Sequence, residues 1–215
     1  MYKPIIIGSS NKYGNNRWKS YSIKLQREVF LTSDLEYYHW LHVEFDPNVV
    51  SFCEQPFEIK IPYKNIIASS IPDMWKLHSN GQEEIVEVKY STDLCSPRVL
   101  KQLEVQRQWC TKNGVTHNVI TENEVNQSAI LLSNYKMILK ILKQTTKIDT
   151  SLKDSIIEIV KDSNRLKLSE LSKILDVPFN DLITTISFLQ FRGEVYLNLK
   201  FCHLGINSEV IGYEN

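Results

Sequence analysis

Between Ile71 and Tyr90 the chain reads IPDMWKLHSNGQEEIVEVKY, and this stretch admits little other than two strands closed by a tight turn. Asn-Gly is the strongest short hairpin signal, because both central residues of a type I′ turn need φ > 0. Met74 to Leu77 is the first predicted strand, Ser79-Asn80-Gly81 the turn, and Glu84 to Tyr90 the second strand. Side chains alternate with period two along a strand, so Ile85, Glu87 and Lys89 share one face while Val86, Val88 and Tyr90 share the other. Asp73 follows Pro72 and enters the first strand. One hairpin therefore brings an Asp, a Glu and a Lys together.

That trio suits metal-assisted cleavage of a phosphodiester. Mg²⁺ takes carboxylate and carbonyl oxygens while keeping several waters. Asp73 and Glu87 offer two carboxylates, and Val88 offers a backbone carbonyl. Lys89 has no acceptor atom; its chemistry is to orient or acidify an attacking water, or to offset charge on the phosphate. Taken alone, Glu-x-Lys reads rather as the solvated face of an ordinary half-buried strand, and the case for a site needs the rest of the chain.

At 215 residues the chain has room for one large domain or two small ones, and 42% hydrophobic and 10% aromatic residues supply a core. With 25 basic and 25 acidic residues, overall charge predicts no polyanion partner. Its distribution says more: residues 1–33 carry Lys3, Lys12, Arg17, Lys19, Lys24 and Arg27 against Glu28 alone. Cys53, Cys95, Cys110 and Cys202 form no C-x-x-C pair, which argues for reduced thiols in a cytosolic protein and against a structural zinc site. No signal peptide and no apolar run of membrane-spanning length is seen, so no membrane partner is expected.

Taken in order, residues 1–30 read as a loosely structured basic arm, either contacting phosphates or simply solvated. A helix should start at Ser33 and run to about Phe45, with Ser33 as N-cap, Glu36 in a capping box, and Leu35, Tyr38, Leu41 and Phe45 as its apolar stripe. Glu36 either closes that box or faces the hairpin as a third carboxylate. His39 and His42 read as boundary residues rather than ligands. Two strands, Val49 to Cys53 and Phe57 to Tyr63, flank Glu54-Gln55-Pro56, and Ser69-Ser70 reads as a bend. Ser96-Pro97 opens a helix from Arg98 to Lys112, with Leu100, Leu103 and Trp109 inward and Gly114 as its stop. Val115 to Thr121 alternates as a strand, and Ser128 to Gln144 is an apolar helix. This order predicts an α/β domain with a mixed sheet flanked by helices over residues 31–146.

Periodicity lapses at Thr145 to Ser151. Residues 147–203 read as a small winged-helix α+β domain: helices Leu152 to Lys161, Ser169 to Leu175 and Pro178 to Phe191, then Glu194 to Phe201 as the wing. In such a fold the third helix reads DNA, yet here it carries only Asp181 and Arg192 as charges. Protein contact is therefore the preferred role. Residues 204–215 read as a tail able to dock elsewhere.

Taken together, SDLEYYHWLHVEFDPNVVSFCEQP, then PD, then EVK, a helix and VTHNVITENEV resemble the TnsA family, the endonuclease subunit of heteromeric Tn7-like cut-and-paste transposases. The resemblance spans roughly residues 30–145. It implies a restriction-endonuclease-like, PD-(D/E)xK fold and a site in which Glu36, Asp73 and Glu87 are acidic ligands and Lys89 is the active-site lysine. Glu54-Gln55-Pro56 would be scaffold. Mg²⁺, with Mn²⁺ as a substitute, would be held by Glu36, Asp73, Glu87 and the carbonyl of Val88. Lys89 would place the attacking water, leaving a 3′ hydroxyl and a 5′ phosphate. The implied substrate is transposon-end DNA, cut at each 5′ end in the bacterial cytoplasm. The implied partners are a TnsB-like DDE transposase and a TnsC-like AAA+ ATPase, the latter docking on the C-terminal region. Two other readings stay open: a free-standing restriction or repair endonuclease of the same fold, and a non-enzymatic winged-helix adaptor.

Overall fold

The computed structural model describes residues 2–5, 16–126, 128–161, 163 and 165–211. Residues 6–15 of the expected basic arm, Lys12 among them, and 212–215 of the expected tail lie outside the described residues. The chain divides into two compact units, Met1–Glu44 with Asn48–Gln127, and Phe45–Pro47 with Ser128–Asn215. Among the described residues no helix is long and apolar enough to cross a membrane.

The first unit is built on a four-stranded mixed sheet of β3 (Val49–Glu54), β6 (Met74–His78), β7 (Glu83–Val88) and β8 (Thr116–Ile120), in that order. The first three are antiparallel, and β8 runs parallel to β7. The predicted hairpin is present, with Met74 opposite Val86 and Leu77 opposite Glu83. Its turn differs from the expected type I′: Gly81 alone has positive φ, at 83°. His78 donates its N–H to Gln82 O at 2.9 Å, so three residues rather than two close the loop. In such a loop only the last position is left-handed, which glycine takes without steric cost.

Helix α2 (Pro97–Asn113) crosses the face carrying Ile85 and Glu87. It starts where Ser96 accepts from Val99 N–H and stops at left-handed Gly114. Its buried stripe is Val99, Val105, Gln106 and Cys110; of the expected inward residues Trp109 packs against the core, partly buried, whereas Leu100 is 53% exposed. Cys110 joins Cys53, Trp75 and Ile85 in one apolar cluster with Phe57 and Trp109 at its edge. β4 (Ile59–Tyr63) and β5 (Ile66–Ser70) form a second hairpin beside α2, so Ser69-Ser70 lies in a strand and not in a bend. The strand is stabilised by pairing, which a Ser-Ser pair in isolation does not signal. A short helix, α3 (Glu122–Val125), follows β8, capped reciprocally by Thr121 and Glu124.

Much of the expected basic arm is ordered too. β1 (Trp18–Ser22) pairs with β2 (Arg27–Leu31), and Trp18 stacks on Tyr37 of α1 (Asp34–Phe45) at 4.2 Å. Arg27 makes two bonds, of 2.7 and 2.6 Å, to the buried carboxylate of Glu54. Two of the arm's charges are thus spent inside the fold: Arg27 on Glu54, and Lys24, whose Nζ donates to Val43 O at 2.8 Å.

In the second unit, α4 (Ala129–Gln144), α5 (Thr150–Lys161), α6 (Leu168–Leu175) and α7 (Phe179–Arg192) accompany a three-stranded sheet ordered β10 (Tyr196–Leu197), β11 (Glu209–Ile211), β9 (Arg165–Lys167). Helix α4 packs on α7, and buried Asn134 bonds the carbonyls of Leu199 and Cys202 and the N–H of Leu204. Those contacts group α4 with this unit, although the lapse in periodicity lies after it. The expected wing also differs. Tyr196–Leu197 does not fold back on residues 198–201; it pairs with Glu209–Ile211, so part of the expected tail is a strand. Asn198 fixes the register, accepting from Glu209 N–H at 3.0 Å. Gly193 ends α7 at φ 70°, and a Cβ there would meet Pro47 Cβ at 2.7 Å. Gly193→Ala is therefore expected to cost roughly 2 kcal/mol or more, from the left-handed conformation plus the clash, and a urea melt will measure it.

Candidate active site

The local sequence places Asp73, Glu87 and Lys89 at one end of the β6–β7 hairpin. Asp73 stands one residue before β6, its carbonyl held at 3.0 Å by the N–H of Gln55. Gln55 itself has φ 44°, and Ile5 donates to its carbonyl at 2.9 Å. Glu54-Gln55-Pro56 thus acts through its backbone, fixing where Asp73 enters the sheet. The side chain of Asp73 accepts the Val88 N–H at 2.8 Å, so β7 continues beyond the hairpin pairing through a carboxylate. Lys89 follows, its own N–H donated to Ile120 O of β8 at 3.0 Å.

The three side chains converge. Lys89 Nζ donates to Glu87 Oε1, lies 3.7 Å from Asp73 Oδ2, and is 3.3 Å from the carbonyl of Val88. Glu87 is fully buried, which excludes the solvated-strand reading for it. A buried carboxylate is costly unless hydrogen-bonded, and α2 supplies the bonds. Gln102 Nε2 reaches Oε1 at 2.5 Å and Gln106 Nε2 reaches Oε2 at 2.6 Å. Neither glutamine is visible as a site residue when the helix is read by its apolar positions. The signal was their i, i+4 spacing between Val99 and Cys110.

Electrostatically the site is a repelling pair bridged by one cation. Burial and then the charge of Glu87 push the Asp73 carboxyl up to about 7, although Lys89 and the Val88 N–H oppose the shift. Burial alone would lower Lys89, but Asp73 and then Glu87 outweigh it and hold the ammonium above its usual range. Glu36 is near enough for Asp73 to raise its carboxyl further, after burial. Its oxygens are nevertheless engaged locally: Thr32 N–H and Oγ1 donate at 3.0 and 2.6 Å, and Ser33 Oγ at 3.2 Å. Glu36 N–H returns a bond to Ser33 Oγ at 3.1 Å. The capping role is thus formed. The expected cluster of three carboxylates is not assembled: among the described residues no three His, Cys, Asp or Glu side chains come together to hold a metal ion. His39 is buried, and burial followed by Lys76 lowers it to about 3, so it stays neutral in the core; His42 Nε2 lies 3.0 Å from Val125 O.

The donor set nonetheless fits a hard divalent ion. Mg²⁺ needs only one or two carboxylates when water fills its remaining positions, and Asp73, Glu87 and the Val88 carbonyl, the oxygens that Lys89 Nζ contacts, are donors of that kind.

A carboxylate pair and a lysine at the end of a mixed sheet, one carboxylate raised by the other, form an arrangement suited to phosphodiester hydrolysis. Residues 46–122 match the family model described as TnsA-like endonuclease N terminal. The match includes Asp73, Glu87, Lys89, Gln102 and Gln106 and leaves Glu36 outside it. It supports a TnsA-family endonuclease, and the mixed α/β architecture is consistent with that fold. No curated protein matches the chain.

Proposed function

We propose that the chain is the endonuclease subunit of a Tn7-like transposase and hydrolyses the strand at each 5′ end of the element, with Mg²⁺ or Mn²⁺ bound. The observation that carries this is the convergence of Asp73, Glu87 and Lys89 within a TnsA-like segment. Asp73 and Glu87, with the Val88 carbonyl, would hold the ion, and Glu36 would join once released from its cap. When bound, the ion supplies Lewis acidity toward the phosphate and a more acidic water. Lys89 orients the attacking water from its place between the carboxylates and offsets charge gathering on the phosphate. Glu87, locked in the core, keeps its geometry through the reaction.

DNA contact has support on the same unit. Tyr63 at the β4–β5 turn is flanked by Lys64 and Lys101, whose ammonium groups lie 5.6 and 5.7 Å from its ring. Basic groups around an aromatic, Lys64 exposed and Lys101 half-buried, suit a phosphate backbone. For the second unit, the order α5, β9, α6, α7, β10, β11 with β11 central supports a winged helix. The charge-poor α7 favours protein contact, and we assign this unit to docking a TnsC-like AAA+ ATPase, with a TnsB-like DDE transposase acting on the 3′ ends.

The test is cleavage of a labelled transposon-end duplex in Mg²⁺, with wild type and Asp73→Asn, each with and without the neighbouring transposase and ATPase. Cutting that needs the partners, the ion and Asp73 is the expected result, and EDTA should abolish it. Cutting by the chain alone would indicate a free-standing nuclease. No cutting in any combination would indicate an adaptor.

A further inference from the structure

We propose that Gln106 is a positioning residue that sets the orientation of the Glu87 carboxylate, and that His117 holds Gln106 in place in turn; this rests on the nuclease reading above. Gln106 is fully buried on a helix stripe shared with Val99, Val105 and Cys110. A leucine would fill that place without needing hydrogen bonds, so a glutamine there must satisfy its whole amide to be tolerated.

It does so with groups from three strands. Its Nε2 donates to Glu87 Oε2 at 2.6 Å and to Ser70 Oγ at 2.9 Å, and its Oε1 faces His117 Nε2 at 2.9 Å. An amide has one donor end and one acceptor end. Turned over, it would aim Oε1 at the Glu87 carboxylate and repel it. In the observed orientation Oε1 pairs with an N–H on His117 Nε2, the tautomer that the Gln106 oxygen selects. The acceptor-only carboxylate of Glu87 thus selects the donor end of Gln106, and His117 Nε2 on strand β8, bonded to Oε1, holds the amide in that orientation. Gln102 completes the clamp on Oε1. With both oxygens fixed, the carboxylate cannot rotate away from Lys89 and Asp73.

Losing an outer-shell partner of this kind typically weakens metal affinity about 10- to 100-fold. Mn²⁺ binding, measured by electron paramagnetic resonance on the full chain, separates positioning from packing. Gln106→Leu and His117→Leu should weaken Mn²⁺ binding by about that factor, while duplex affinity and cooperative melting persist. His117→Gln, which keeps a donor at similar reach, should bind Mn²⁺ close to wild type. Should Gln106→Leu fail to fold, Gln102→Leu carries the same test through Oε1. Wild-type Mn²⁺ affinity in whichever of these two folds, or equal losses in His117→Gln and His117→Leu, would overturn the proposal. If wild type and Asp73→Asn bind Mn²⁺ alike, the nuclease reading itself fails.

Discussion

Asp73→Asn is expected to abolish DNA cleavage and, in the same protein without divalent ions, to raise the melting temperature at neutral pH. Losing one preorganised charged group from such a site commonly costs about 100- to 1,000-fold in rate. The stability effect has the opposite sign. The Asp73 carboxyl is raised to about 7 by burial and by Glu87. From the ordinary carboxylate range up to that value the folded chain holds a proton that the unfolded chain has released. Stability therefore falls as pH rises through this window. An asparagine keeps an acceptor for the Val88 N–H and removes the charge, so its melting temperature should be flatter in pH over the same range. Calorimetry of both proteins between pH 4 and 8 measures the difference. Parallel curves for wild type and variant would show that Asp73 is not under repulsion.

Lys89→Ala should also end cleavage, yet destabilise the fold. Its ammonium is the only basic group in contact, among the described residues, with both Asp73 and Glu87. Without it the fully buried Glu87 keeps its two amide partners but no cation, beside the carboxyl of Asp73. Breaking a buried ion pair from one side costs about 3 to 5 kcal/mol. The low end applies here, because the lysine side chain is 20% exposed. For a chain of this size about 3 kcal/mol corresponds to roughly 6 to 12 °C. Adding Asp73→Asn to Lys89→Ala should recover part of the loss, since the two share one interaction. Additive effects in the double variant would argue against the bridge. Together the two single variants separate chemistry from folding: both are inactive, and their stabilities move in opposite directions.

The site was legible as far as neighbours in sequence define it. Pro-Asp and Glu-x-Lys on the two strands of one hairpin place Asp73, Glu87 and Lys89 at the same end. Ser33 with Glu36, and Ser96-Pro97 with Gly114, marked helix ends because capping depends on residues within one turn. For Glu36 the two predicted roles needed coordinates to separate them, since a capping carboxylate and a ligand carboxylate have the same local sequence. Its oxygens are found on Thr32 and Ser33. Leu100 shows the converse: apolar spacing suggested burial, but the inward stripe of α2 is set by what Glu87 and the β4–β5 hairpin require.

Local residue order by itself determined the β6–β7 hairpin, the spans of the main helices to within a few residues, and the placing of Asp73, Glu87 and Lys89 at one end of that hairpin. Each depends on backbone sterics and bonds across a handful of positions. Pairings made across long stretches of chain could not be read that way. β11 enters a sheet with β9, more than 40 residues earlier, and Gln106 reaches Glu87 from 19 residues away. The first is made by backbone hydrogen bonds that only the folded chain brings into register, and the second by the burial of Glu87, a polar group that must find partners wherever the fold supplies them, because water cannot follow it inside.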